Sequence, residues 1–218
     1  IAIAVADASS LPKAVSRIRR RQANIWPEAT VLHGHRHLQP AVTYHEAIPG
    51  HHFNISISQE LEGIPDFMKH QTNTAHTEGW GLYCELLAKE MGMYQNPYAD
   101  FGRLNLELFR ACRLVVDAGI HQKKWDREQA VKYYFNNTSS SRHTCESMVD
   151  RHMVMPGQAT AYKIGMLKIL ELRDKAANEL GEQYRIADFH DAILTHGLLP
   201  LEIVERMVDE YIASKKAV

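Results

Sequence analysis

The stretch TYHEAIPGHH, residues 43–52, decides how the rest of the chain is read. Its first half resembles the zinc-binding helix signature His-Glu-x-x-His, which sets two imidazoles one turn apart on one helix face with a glutamate beside them. Here the fifth position is Pro49, and the next histidines are His51 and His52. At about 100° per residue, His45 and His51 lie about 240° apart in projection on a straight helix. His45 and His52 share a face but are separated by about 10.5 Å of axial rise. Zinc needs its imidazole nitrogens at about 2.0–2.1 Å, so an undistorted helix supplies neither pair. Pro49 lacks the amide hydrogen that would bond back to His45, and Gly50 admits backbone angles that other residues avoid. Two readings stand. Either a bulge or kink swings His51 back beside His45, with Pro-Gly as a two-residue insertion in a metal helix, or the helix ends at Ile48 and His51 and His52 cap the next one.

A second segment bears on that choice. NTAHTEGWGLYCELLAKEMG, residues 73–92, reads as a helix with Glu78 near its start and Glu85 seven positions later on the same face. A catalytic zinc commonly takes two histidines, one carboxylate and a water, and Glu78 offers the carboxylate. The competing reading is a solvated first-turn glutamate. Gly79 and Trp80 suggest close packing under the site, and His76 is expected beside it or in solvent.

Outward from these segments, apolar residues recur at helical spacing nearly everywhere, so the fold class is all-α. Asn96-Pro97 caps a long helix through residue 121, Asp126 with Gln129 resembles a capping box, and Pro156 and Pro200 open the last long helices. Loops are expected at Gly63-Ile64-Pro65, Gly92, Gly181 and Gly197. A helix is expected near residues 12–24, and one short strand at ATVLHGH, residues 29–35. His33, His35 and His37 alternate there, as a polar loop or a second metal site. With 218 residues, 45% hydrophobic and 23% charged, the chain has material for a sizeable core. Its net charge of −1 leaves no electrostatic footprint for nucleic acid, and the basic run RIRRRQ, residues 17–22, reads as a solvated helix face. Cys84, Cys112 and Cys145 are odd in number and widely spaced, as buried free thiols would be. The opening IAIAVADASSLP is too short and too weakly apolar to span a membrane, and a processed or truncated chain is expected from it.

The segments HEAIPGHH, EGWGLYCE, FGRLNLELFRACRLVVDAGIH, PGQATAYKIG and LPLEIVERMVDEYI occur in order from about Tyr44 to the C-terminus. Together they resemble the C-terminal half of the bacterial family called domain of unknown function 885, regarded as zinc-metallopeptidase-like and related to helical zincins. The resemblance implies a multi-helix, zincin-like catalytic half-domain over residues 41–218 after an ill-defined segment 1–40. It implies zinc as cofactor, His45, His51 and Glu78 as ligands, and Glu46 as general base. It also implies a peptide or small amide substrate in a cleft whose other wall comes from a missing N-terminal region or a partner chain.

Other residues are placed around that site. Tyr162 is a candidate for stabilising an oxyanion, and Lys163 for gripping a substrate carboxylate. Arg110, Arg113 and Arg151 suit a terminal carboxylate or internal ion pairs. His121 lines the cleft or simply ends its helix, with Asp117 one turn earlier. His52, Glu85 and Asp117 are expected to support the ligands. Three functions remain: a zinc-dependent hydrolase of peptide or related amide bonds, a non-catalytic zinc- or partner-binding fragment, and a zinc hydrolase of a non-peptide amide or ester.

Overall fold

The computed structural model describes residues 36–217, and every regular element among them is helical. The helix expected near residues 12–24, the strand expected at 29–35, the RIRRRQ run, His33 and His35 lie outside the described residues. In chain order the helices are α1 (Gln39–Glu46), α2 (His51–Glu60), α3 (Asp66–His70), α4 (Thr74–Glu90), α5 (Pro97–His121), α6 (Arg127–Asn137), α7 (Arg142–Val154), α8 (Gln158–Leu180), α9 (Ile186–Leu194) and α10 (Leu201–Lys216). A 3-10 turn, Gly181–Gln183, follows α8. No helix among them is long and apolar enough to cross a membrane.

Local chemistry sets most of these boundaries. Asn96 caps α5 by accepting the Tyr98 amide, with Pro97 at the first helical position. Asp126 and Gln129 form a reciprocal capping box at the start of α6. The loops turn on Gly63, Gly92, Gly181 and Gly197, all with positive φ. Pro156 differs from expectation. It precedes a left-handed Gly157 at φ 80°, and α8 begins only at Gln158.

The largest core lies between α4, α8, α9 and α10, where Trp80, Tyr83, Met166, Ile169, Phe189 and Val208 are buried together. Its densest crossing, α4 on α8, depends on small residues. A Cβ on Gly79 would run into the Gly165 backbone, and one on Gly165 would overlap the Ala75 carbonyl. A second core joins α5, α6 and α7 around Phe109, Val131, Tyr134 and Val149. Cys84, Cys112 and Cys145 are all free and buried.

Three buried histidines, His76, His152 and His190, are held in neutral form within this packing. His76, expected beside the site or solvated, is fully buried at the start of α4, and its Nδ1 donates to the Leu199 carbonyl. His190 Nε2 accepts from the Tyr83 hydroxyl at 2.8 Å, and His152 Nε2 from that of Tyr134 at 2.7 Å. Burial raises both tyrosine pKa values, so the phenols keep the protons they donate. Burial also pulls each of the three histidines down to about 4, with nearby cations adding to the effect at His152 and His190. Unfolded histidine titrates near 6.5, so the stability these residues contribute is complete above about pH 6.5 and is lost as pH falls toward 4. In urea unfolding of the metal-free protein, the midpoint is therefore expected to fall between pH 7 and pH 4.5. His152→Gln, which cannot titrate, flattens that fall. A midpoint constant across the window contradicts the neutral assignment.

Candidate metal centre

The first helix carries His45 and Glu46 in its last turn and then stops. The break comes at Glu46, two residues before the Ile48 boundary considered from sequence. Ala47 bonds back to Thr43, the Ile48–Pro49 peptide is cis, and Gly50 starts α2. A Cβ on Gly50 would overlap the carbonyl oxygens of Tyr44 and His45, so the chain doubles back against the end of α1 in a way only glycine allows. The indole of Trp80, in the middle of α4, donates to the Pro49 carbonyl at 2.8 Å and anchors the turn. The result combines the two sequence readings. The helix is broken, as the second required, yet the imidazoles of His45 and His51 meet with ring centroids 4.6 Å apart, as the first required.

One face of α4 lies beneath them. Glu78 Oε2 is 3.1 Å from His51 Nε2 and 3.5 Å from His45 Nε2. Glu85 Oε1 is 2.9 Å from His45 Nδ1, so with the carboxylate accepting there Nδ1 carries a proton, while Nε2 faces Glu78. Gly81 lies between the two glutamates, where a Cβ would stand 2.8 Å from both His45 and His51 ring atoms. Burial raises the Glu78 pKa, but hydrogen bonds from His45 and His51 outweigh it and hold the carboxyl well below its usual range. For His45, burial lowers the pKa, and the bonds to Glu78 and Glu85 prevail and raise it. Ligand-type atoms of His45, Glu46 and His51 all lie within 4.8 Å of one another, with the Glu46 side chain on the exposed side. Two imidazoles with adjoining carboxylates fit the donor set of a divalent transition metal.

Further residues close in around this cluster. Tyr162 lies nearly parallel to His45 with ring centroids 5.9 Å apart. Gln158, which sequence reasoning missed, donates from Nε2 to both Glu78 Oε1 and the Tyr162 hydroxyl at 3.2 Å. Its only signal was its place in PGQATAYKIG. Arg110 approaches Glu85 at 3.4 Å.

The remaining candidates sit elsewhere. Lys163 is engaged by Glu107 at 2.6 Å, an ion pair that takes it out of the role of free substrate grip. Arg151 is exposed on α7, and His52 is exposed at the start of α2. His121 donates from Nε2 to the His152 carbonyl at 2.8 Å. Asp117 accepts the Gly157 amide on both oxygens at 3.2 Å, which fixes the turn that delivers Gln158 and Tyr162.

The model of the bacterial proteins of unknown function DUF885 matches residues 11–208. The chain belongs to this family. The match starts well before Tyr44, so the family pattern also takes in the histidine-rich stretch that leads into α1. No curated protein matches. Among solved structures, a "putative lipoprotein" from Colwellia psychrerythraea is 44% identical over 80% of this chain and 30% of its own, with a TM-score of 0.79. A "putative lipoprotein of unknown function" from Shewanella oneidensis is 25% identical over 79% of this chain and 31% of its own, with a TM-score of 0.73. The DUF885 chain described here thus spans under a third of the length of these two relatives.

Proposed function

We propose that this DUF885 chain carries a zinc site that hydrolyses peptide or related amide bonds. The observation that carries the reading is the convergence of His45, His51 and Glu78, with Glu46 beside them on the open side. His45, His51 and Glu78 would hold the ion. Zinc in that position supplies a Lewis acid that polarises a carbonyl and lowers the pKa of a water toward about 7.

The chain's own residues have separable tasks. Glu46 takes the proton of the attacking water and returns it to the leaving amine. Glu85 keeps the proton of His45 on Nδ1 and so leaves Nε2 as the ligand atom. Because Gln158 donates to the Tyr162 oxygen, the phenolic proton is free to donate to an oxygen gaining negative charge. The test is hydrolysis of unblocked peptides by zinc-loaded protein, with Glu46→Gln as the control that binds the ion but does not turn over.

A second reading, in which the site belongs to a larger assembly, is favoured by one surface. Phe101, Leu104, Leu108 and Val115 recur at helical spacing along α5 and are exposed, as are Ile164 and Leu167 on α8. On that reading a further segment or partner chain packs on this row and completes the cleft. Hydrolysis of a non-peptide amide or ester would use the same chemistry.

A further inference from the structure

Gln158, the first residue of α8, uses one amide group for two contacts. Its Nε2 lies 3.2 Å from Glu78 Oε1 and 3.2 Å from the Tyr162 hydroxyl. A carboxylate only accepts, so the amide nitrogen rather than its oxygen faces Glu78, and the second amide hydrogen is the one aimed at Tyr162. Gln158 and Tyr162 stand four residues apart, one turn along the same face of α8. Their placement is set from outside that helix. Asp117 on α5 accepts the Gly157 amide with both carboxylate oxygens at 3.2 Å, and Gly157 takes the left-handed conformation at φ 80° immediately before α8.

The two oxygens of Glu78 are thereby given different partners. Oε1 goes to Gln158, while Oε2 lies 3.1 Å from His51 Nε2 and 3.5 Å from His45 Nε2. Zinc bonds of about 2.0–2.1 Å in a tetrahedral array set neighbouring donor atoms about 3.3 Å apart. The spacing of Oε2 from each imidazole nitrogen therefore suits three donors to one ion. Binding through both oxygens would turn Oε1 toward the imidazoles and break its bond to Gln158. It would also fill the position that a catalytic zinc keeps open for water.

We propose that Gln158 is a positioning residue that restricts Glu78 to coordination through Oε2 alone and so keeps one place on the ion open for water or substrate. This deepens the zinc reading of His45, His51 and Glu78 and rests on it. Carboxylates that bind metals are themselves hydrogen-bonded, and losing such a partner typically costs about 10–100-fold in metal affinity or activity. Because the same amide nitrogen also serves Tyr162, it holds the ligand and the phenol in a fixed relation to each other.

The experiment reads coordination number directly, without turnover. Cobalt(II), whose visible bands are intense with four donors and weaken and move to shorter wavelength with five, is titrated into the metal-free protein. Wild type is expected to give the intense four-donor bands. Gln158→Met keeps the length of the side chain but has no donor, and Gln158→Asn keeps the amide but draws it back by one methylene. Either change frees Oε1 to join Oε2 on the ion, so the bands are expected to weaken severalfold and move to shorter wavelength. Tyr162→Phe removes the other partner of the amide and leaves Glu78 held, so it is expected to keep the wild-type spectrum. Wild-type spectra in both Gln158 variants overturn the proposal and leave the metal site standing. A Tyr162→Phe spectrum changed as much as that of Gln158→Met also overturns it, because the effect then belongs to packing at the phenol. A wild type that takes up no cobalt removes the metal site, and the role of Gln158 with it.

Discussion

Glu46→Gln is expected to leave zinc bound and to lower kcat for peptide hydrolysis by about 10³-fold, within the range that a positioned general base contributes. Glu46 follows His45 in the last turn of α1, and its carboxylate lies within 4.8 Å of the ligand-type atoms of His45 and His51. Its side chain is exposed, where an incoming water and a peptide can both reach it. Glutamine keeps the length and shape but cannot take a proton, so the ion, the fold and the substrate contacts survive while proton transfer fails. Metal content and steady-state kinetics on the same preparation check both halves. Turnover within tenfold of wild type would remove Glu46 from the mechanism.

The second large effect comes from a residue with no functional group. Gly81→Ala is expected to weaken zinc binding by about 100-fold, comparable to losing a residue that orients the ligands. A Cβ at this position stands 2.8 Å from atoms of both imidazoles, so one methyl displaces His45 and His51 together. Helix propensity works in the opposite direction, since alanine in a helix interior is favoured over glycine by up to about 1 kcal/mol. Thermal stability of the metal-free protein should thus change little while metal affinity collapses. Competition titration against a zinc chelator, paired with thermal unfolding, separates the two. Wild-type affinity in Gly81→Ala would mean that the imidazoles do not need this floor.

Most of the fold was legible because its signals are local. Asn96-Pro97, the Asp126–Gln129 box and the positive-φ glycines each act within a few residues of where they stand. The pairing of His45 with His51 was only half legible. Straight-helix arithmetic correctly excluded the pair on one helix, and it could not foresee that Gly50 folds back on the end of α1 while Trp80, far along the chain, anchors Pro49. The packing expected under the site at Gly79 and Trp80 proved to be shared. Gly79 serves the crossing with Gly165, and Gly81 lies under the rings. Lys163 looked available because its partner Glu107 is distant in sequence. The contacts of Gln158 with Glu78 and Tyr162 depend on α4 and α8 meeting, and no periodicity in the sequence encodes that meeting.

The central claim is a three-ligand zinc site, and its most direct test is metal content of purified protein after zinc loading, compared across wild type, His45→Ala and Glu78→Ala. The account predicts near-stoichiometric zinc in wild type and its loss in both variants. Zinc absent from wild type, or retained in full by either variant, would contradict it.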